Sequence, residues 1–348
     1  MKFSVAWGSQ GSKRRLAPRI MASMANIEQR TASQDPRISR VAEGIFAIDT
    51  EYVRPQQDAS HLMVDGREAA FIDTGVNRSV PTLLAAVAAQ GLAPEDVRYI
   101  LLTHVHLDHA GGASQLVRRL PRAKVLVHPR GAAHLTDPSK LIAGTRAVYG
   151  DATYERMYGE ILPIPAARVE CVQDGETREL GARRLEFLHT PGHALHHVCI
   201  ADRAAGLAFT GDIFGVSYRE LDNANGPFVM PTTTPTQFDP QQMHASVDRV
   251  LALRPTQVFL THYSRVEQVS RLGADLHADI DLYVDIARAH AAAGDRERAI
   301  AADIWSELGA RLRRHGHDPD DAAVRELLDA DVRLNAAGLV AWLSRQAA

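Results

Sequence analysis

Apolar and polar positions along the chain follow two different periods. From residue 38, the stretches GIFAIDT and ASHLMVDGREAAFIDTG are apolar at most or alternate positions and read as strands, the latter turning at Asp65-Gly66 as a hairpin. SVPTLLAAVAAQGL has three/four spacing and reads as a helix ending at Gly91. VRYILLTH is a buried strand, GGASQLVRRL a helix and AKVLVHP another strand. Strands resume with RRLEFLHTPGH, HHVCIAD and LAFTGDIFG. PQQMHASVDRVLAL is helical, with Met243, Val247, Val250 and Leu251 on one face, and TQVFLTHY is a last strand. Alternating strands and helices with early hairpins imply a layered α/β fold with mixed sheets.

Two stretches break this rhythm. Residues 129–163 hold three of the eight tyrosines, Tyr149, Tyr154 and Tyr158. An insertion of this length either packs as surface helix or serves as a lid over a pocket. Beyond residue 265 only the helical period persists, first in Val269, Leu272, Leu276, Ile280, Tyr283 and Ala287, then in Ile300, Ile304, Trp305, Leu308 and Leu312. The expected organisation is a poorly ordered leader over 1–37, a catalytic domain over 38–265 and a C-terminal helical extension over 266–348. The extension is expected either to complete the pocket or to form a homodimer interface.

Composition narrows the function without naming it. The 348 residues, 45% hydrophobic and 23% charged, suffice for a sizeable core. A net charge of −3 with no long single-sign run argues against a nucleic-acid surface or a membrane patch. Residues 1–27 carry Lys2, Lys13, Arg14, Arg15 and Arg19 and no acid, which reads as a disordered leader or an overlong gene start. No apolar run is long enough to span a bilayer. Cys171 and Cys199 lie far apart, which argues against a disulfide framework or a thiolate zinc site and fits a reducing, cytoplasmic setting. Both are expected to fill core space on strands.

The chemistry concentrates in LLTHVHLDHAGG, where His104, His106, Asp108 and His109 follow an apolar strand. Alternation sends His104 and His106 to one side, where both imidazoles reach one cation. Asp108 and His109, after a turn, can face a second. Three further strand ends carry a ligand type beside Gly or Thr: His193 in HTPGHALHH, Asp212 in FTGDIFG and His262 in LTHYS. Together these make a full set for two metal ions.

H-x-H-x-D-H, T-P-G-H, T-G-D and a late T-H, in this order, resemble the metallo-β-lactamase-fold hydrolase superfamily over about residues 39–265. The resemblance implies a four-layer αββα sandwich with metals at one edge. It implies His104, His106 and His193 around a first ion, Asp108, His109 and His262 around a second, and Asp212 bridging. FIDTG matches the family's early turn, making Asp73 the carboxylate behind a ligand histidine. His197 is expected behind the ligands as well; His61, His128 and His134 are left out, because the set is complete without them. True β-lactamases of the main zinc class have a cysteine where this chain has Asp212, so the pattern is closer to the glyoxalase II, lactonase and phosphotriesterase branches. The reaction implied is hydrolysis of a small ester, lactone, thioester or phosphotriester by a metal-bridging water, with Asp108 handling a proton. Zinc is the metal expected, iron or manganese the substitutes. Tyr218, Tyr154 and Tyr158 are the substrate-pocket candidates, and the partner is a small molecule, with neither nucleic acid nor membrane. The rival from another class is a mononuclear iron dioxygenase of the persulfide dioxygenase type.

Overall fold

The computed structural model describes residues 35–233 and 237–347. Residues 1–34 of the expected leader lie outside them. The first sheet has seven strands in chain order: β1 (Ile38–Ala42), β2 (Ile45–Asp49), β3 (Ala59–Asp65), β4 (Glu68–Ile72), β5 (Val97–Leu101), β6 (Lys124–Val127) and β7 (Val169–Cys171). The hairpins β1 to β4 pair antiparallel, with Asp65 opposite Glu68. From β4 to β7 pairing is parallel, because helices now make the return. These are α1 (Val80–Ala89), the short α2 (Leu107–Ala110) and α3 (Ala113–Arg119), then α4 (Pro129–Thr136), α5 (Ser139–Tyr149) and α6 (Asp151–Met157) in the insertion.

The second sheet contains β8 (Thr177–Leu180), β9 (Arg183–His189), β10 (Val198–Asp202), β11 (Leu207–Gly211), β12 (Gln257–Leu260) and β13 (Ser264–Val266), in the spatial order 13-12-11-10-9-8. α7 (Pro240–Ala252) crosses from β11 to its parallel neighbour β12. Three helices follow: α8 (Val269–Ala289), α9 (Arg296–His315) and α10 (Ala322–Gln346).

Side-chain alternation builds the layers. Ala70 and Ile72 point inward with Ile45, Met63 and Leu101, and meet Phe187, Ile200, Phe209 and Phe259 between the sheets. Ala69 and Phe71 point outward and pack with Leu83, Val87 and Leu116 of α1 and α3. On the far side, Cys199, Ala208 and Val258 pack with Met243 and Val247 of α7 and with Leu272 and Leu276 of α8. This is the four-layer αββα sandwich. The same apolar cluster runs on through Ile300, Ile304, Leu328 and Leu339, so the helical extension shares a core with the second sheet.

One expectation needs correction. Cys199 is buried on β10, but Cys171 is exposed, because it ends β7 at the edge of its sheet. Among the described residues no helix is long and apolar enough to cross a membrane.

Candidate metal centre

Strand direction gathers the site. β4 runs parallel to β5 and β11 to β12, and each hands its chain over at the same edge: Asp73 after β4, His104 after β5, Asp212 after β11 and His262 after β12. The link between β9 and β10 adds His193 at that edge. His106 precedes α2, whose single turn carries Asp108 and His109.

The ligand atoms form three overlapping groups, each within 4.8 Å: His104, His106 and His193; His104, His109 and Asp212; Asp108, His109 and His262. His106 Nδ1 lies 2.8 Å from His104 Nε2 and 3.2 Å from His193 Nε2. Asp212 stands between the two sides. Its Oδ2 is 3.2 Å from His193 Nε2, while Oδ1 is 3.1 Å from His109 Nε2 and 3.4 Å from His262 Nε2. Asp108 Oδ2 approaches His109 Nε2 at 3.6 Å and His262 Nε2 at 3.7 Å. His109 Nε2 and Asp212 Oδ1 are buried and make no hydrogen bond. Orphaned polar atoms facing each other in a packed interior fit a cation between them.

The rings are held from behind. His109 Nδ1 donates to Asp73 Oδ2 at 2.7 Å, leaving Nε2 for a metal. The same carboxylate accepts from Thr103 N–H at 2.8 Å, from Thr103 Oγ1 at 2.8 Å and from Thr261 Oγ1 at 2.9 Å. Asp73 takes a left-handed φ of 55°, unfavourable for a residue with a Cβ and imposed here by these contacts. His197 accepts from the Asp212 N–H at Nε2 (3.2 Å) and is bound through Nδ1 to Thr190 Oγ1 at 2.9 Å, so it holds the backbone that presents the Asp212 carboxylate.

Sequence reasoning missed several supports. Asp58, fully buried, accepts from His262 Nδ1 at 2.7 Å. It precedes β3 rather than following it, so the pattern of a polar residue at the end of an apolar strand does not mark it. Thr103 and Thr261 were visible as the paired LTH of LLTHVH and LTHYS, each threonine preceding a histidine of the cluster and each binding Asp73. Thr232 touches His193 Nδ1 at 3.0 Å and carries no comparable signal.

The two sides differ electrically. Burial lowers His104, His106 (to about 3) and His193 (to about 4), so the first cage offers neutral imidazoles. Burial opposes charge on His109 and His262 too, but Asp212, Asp108 and Asp73 around the former, and Asp58 and Asp212 around the latter, overcome it and raise both. Burial would raise Asp212, yet His109, His262 and His193 hold it well below the usual carboxylate range.

A cavity of about 300 Å³ opens over the centre, with His106, Asp108, His193, Asp212 and His262 in its floor. Tyr158 and Tyr218 line it; Tyr154 does not. The Tyr154 ring is packed against Tyr158 under the Arg146 guanidinium, away from the opening. The insertion is both packing and cover: α6 anchors through Tyr154, while α5 buries no residue and lines the cavity with Leu141, Gly144, Thr145, Val148 and Tyr149. The tail adds Asp331, Leu334 and Asn335, and Tyr218 Oη donates to Asp331 at 3.1 Å.

Residues 53–262 match the family model of the metallo-beta-lactamase superfamily. The metallo-beta-lactamase fold-containing protein ST1585 of Sulfurisphaera tokodaii is 31% identical over 212 residues, 60% of this chain and 73% of that protein. Human acyl-coenzyme A thioesterase MBLAC2 is 32% identical over 187 residues, 50% of this chain and 64% of its own. Hydroxyacylglutathione hydrolase of Maricaulis maris is 27% identical over 270 residues, 76% of this chain and 83% of its own. The solved structure of TTHA1429 from Thermus thermophilus shares the fold with a TM-score of 0.64 at 19% identity, over 89% of this chain and 96% of its own. The chain belongs to the metallo-beta-lactamase superfamily. It is a hydrolase of that superfamily, whose members bind divalent metals, and its histidine and aspartate clusters are of the kind that hold them.

Proposed function

We propose that this protein is a dinuclear metal-dependent hydrolase of small esters, with thioesters its foremost substrates and lactones and phosphotriesters within its reach. One observation carries the two-ion reading: the Asp212 carboxylate turns Oδ2 to His193 and Oδ1 to His109 and His262, so a single side chain faces two ligand sets. Thioesters come first because relatives on both sides of the comparison, an acyl-coenzyme A thioesterase and a hydroxyacylglutathione hydrolase, act on that bond. In this reading residues 38–265 are the catalytic part and the helices from 266 its extension.

His104, His106 and His193 would hold one ion, Asp108, His109 and His262 the other, with Asp212 shared. All-N/O ligation of this kind suits zinc. When bound, such an ion pair lowers the pKa of water towards neutrality and polarises the scissile carbonyl. Asp108, lining the cavity beside His262, takes up the proton the attacking water loses. Asp73 and Asp58 keep His109 and His262 in the tautomer that leaves Nε2 free. α5 and α10 wall the cavity and limit the water that reaches the bond.

Metal analysis and a turnover panel of acyl thioesters, S-lactoylglutathione, lactones, aryl esters and phosphotriesters test the proposal. Two zinc-like ions per chain and thioester turnover lost on chelation are expected. His106→Ala and Asp212→Ala should each lose metal and turnover together. One iron per chain with oxygen uptake on a persulfide, or full activity in either variant, would overturn it.

A further inference from the structure

A second group of ligand-type side chains lies outside the cavity, where α7 meets α8. Met243, Val247 and Val250 of the first helix share an apolar cluster with Leu272, Leu276 and Ile280 of the second. Gly273 lets the helices close, since a Cβ there would lie 2.7 Å from Leu251 Cδ2. At the solvent edge of this contact each helix carries a histidine and, one turn later, an aspartate: His244 and Asp248 on α7, His277 and Asp281 on α8. The pairs cross. His244 Nε2 lies 3.1 Å from Asp281 Oδ1 and His277 Nε2 lies 3.1 Å from Asp248 Oδ1. Between them the two imidazoles meet, with Nδ1 2.6 Å from Nδ1, ring planes 8° from parallel and centroids 5.0 Å apart. Nitrogens that close on ring centres that far apart mean contact edge to edge, not face to face.

Proton accounting shows what this contact lacks. A carboxylate only accepts, so each Nε2 carries a hydrogen and donates it across the helix pair. A neutral imidazole has one ring proton, and on both rings it is spent. Two bare Nδ1 lone pairs then face each other, which is repulsive unless a positive centre joins them. A shared proton is one such centre and a metal ion is the other. The aspartates, which among the described residues pair with no lysine or arginine, give the cluster negative charge to receive it. Metal-binding histidines commonly give their second N–H to a carboxylate, which fixes tautomer and ring direction, and both rings here already do so.

We propose that His244 and His277 form a metal site separate from the catalytic centre, a clasp joining α7 of the sandwich to α8 of the tail. Its occupant is a divalent ion of the zinc or copper kind, bound through both Nδ1 atoms, with Asp281 and Asp248 holding the rings from behind. Two bonds of about 2.0–2.1 Å at a tetrahedral angle need the nitrogens about 3.4 Å apart. Ring rotation supplies that small opening, because the side chains are 27% and 26% exposed, and water from the same side completes the shell. The entering ion displaces the shared proton.

Total zinc, retained and titrated, is counted on the holoenzyme by elemental analysis and calorimetry with zinc alone. Wild type should hold one ion more than His277→Gln. Asp248→Asn should weaken that site by about 10–100-fold. His106→Ala, which breaks the catalytic cage, should keep the clasp ion and lose it when His277→Gln is added. Equal counts in wild type and His277→Gln would overturn the proposal and leave a shared proton as the link between the rings. Loss of the extra ion in His106→Ala would overturn it too, because that ion would belong to the catalytic centre. Should His277→Gln fold poorly, His244→Gln makes the same comparison. The readout is a difference of one ion, so a catalytic centre that takes one ion in place of two sinks the two-ion reading and leaves this test intact.

Discussion

Asp73 shows how much one side chain carries at this centre. Its carboxylate collects His109, Thr103 and Thr261, and so ties the ends of β5 and β12 to one histidine ring. Asp58 does the same for His262 alone. Asp58→Ala is therefore expected to weaken binding of one ion by about 10–100-fold, read by zinc competition, with little change in the other. Gly211 marks a second point of no tolerance. It has a φ of 47°, and a Cβ there would lie 2.6 Å from His197 Nε2 and 2.8 Å from Thr103 Cβ. Gly211→Ala should displace His197 and lower metal retention. His61 gives a pH signature independent of any ion. Burial between Phe209 and Phe259 lowers its pKa to about 4. The unfolded chain protonates first as pH falls through about 6.5, so the stability His61 contributes is present above that value and is lost towards pH 4. The difference in melting temperature between wild type and His61→Gln should shrink across that window.

At the scale of elements, α5 is the instructive case. Its apolar residues recur at helical spacing, and on sequence alone a surface helix and a lid looked alike. The structure separates them. Gly144, Thr145, Val148 and Tyr149 line the cavity, while Leu141 lines it and also packs with Ile142 against the buried cluster of Tyr52, Leu107, Tyr154 and Tyr158. The period of a helix reports that a face is apolar; it does not report what covers that face. Leu141→Ala combined with Val148→Ser should raise KM several-fold for substrates with an apolar acyl group, while metal content stays at the wild-type value. A change in metal content instead would assign α5 a structural role.

Across the whole molecule, the catalytic sandwich and the helical tail behave as one body because one apolar cluster runs through both. Val258 and Leu260 of β12 belong to the same cluster as Ile280, Ile304, Leu328 and Leu339. Truncating Ile304 to alanine should cost about 2–5 kcal/mol, and denaturant unfolding followed by far-ultraviolet circular dichroism should still show one transition. A chain ended at residue 267 should lose zinc binding as well as stability. An intact, metal-binding truncated protein would contradict the shared core.

Read alone, the residues determined the layered α/β class, the strand ends and the identity of the side chains that meet there. That was possible because each of the four segments that carry these histidines and aspartates follows an apolar run within a few residues, and such local patterns survive in one dimension. The opposite holds for Asp58, 204 residues from His262, and for Asn335, 102 residues from Thr233. The same is true of Asp212 standing between His193 on one side and His109 and His262 on the other, and of Tyr154 turning away from the cavity. Periodicity states which face of an element is buried; only the packing of sheets and helices decides which distant group that face will meet.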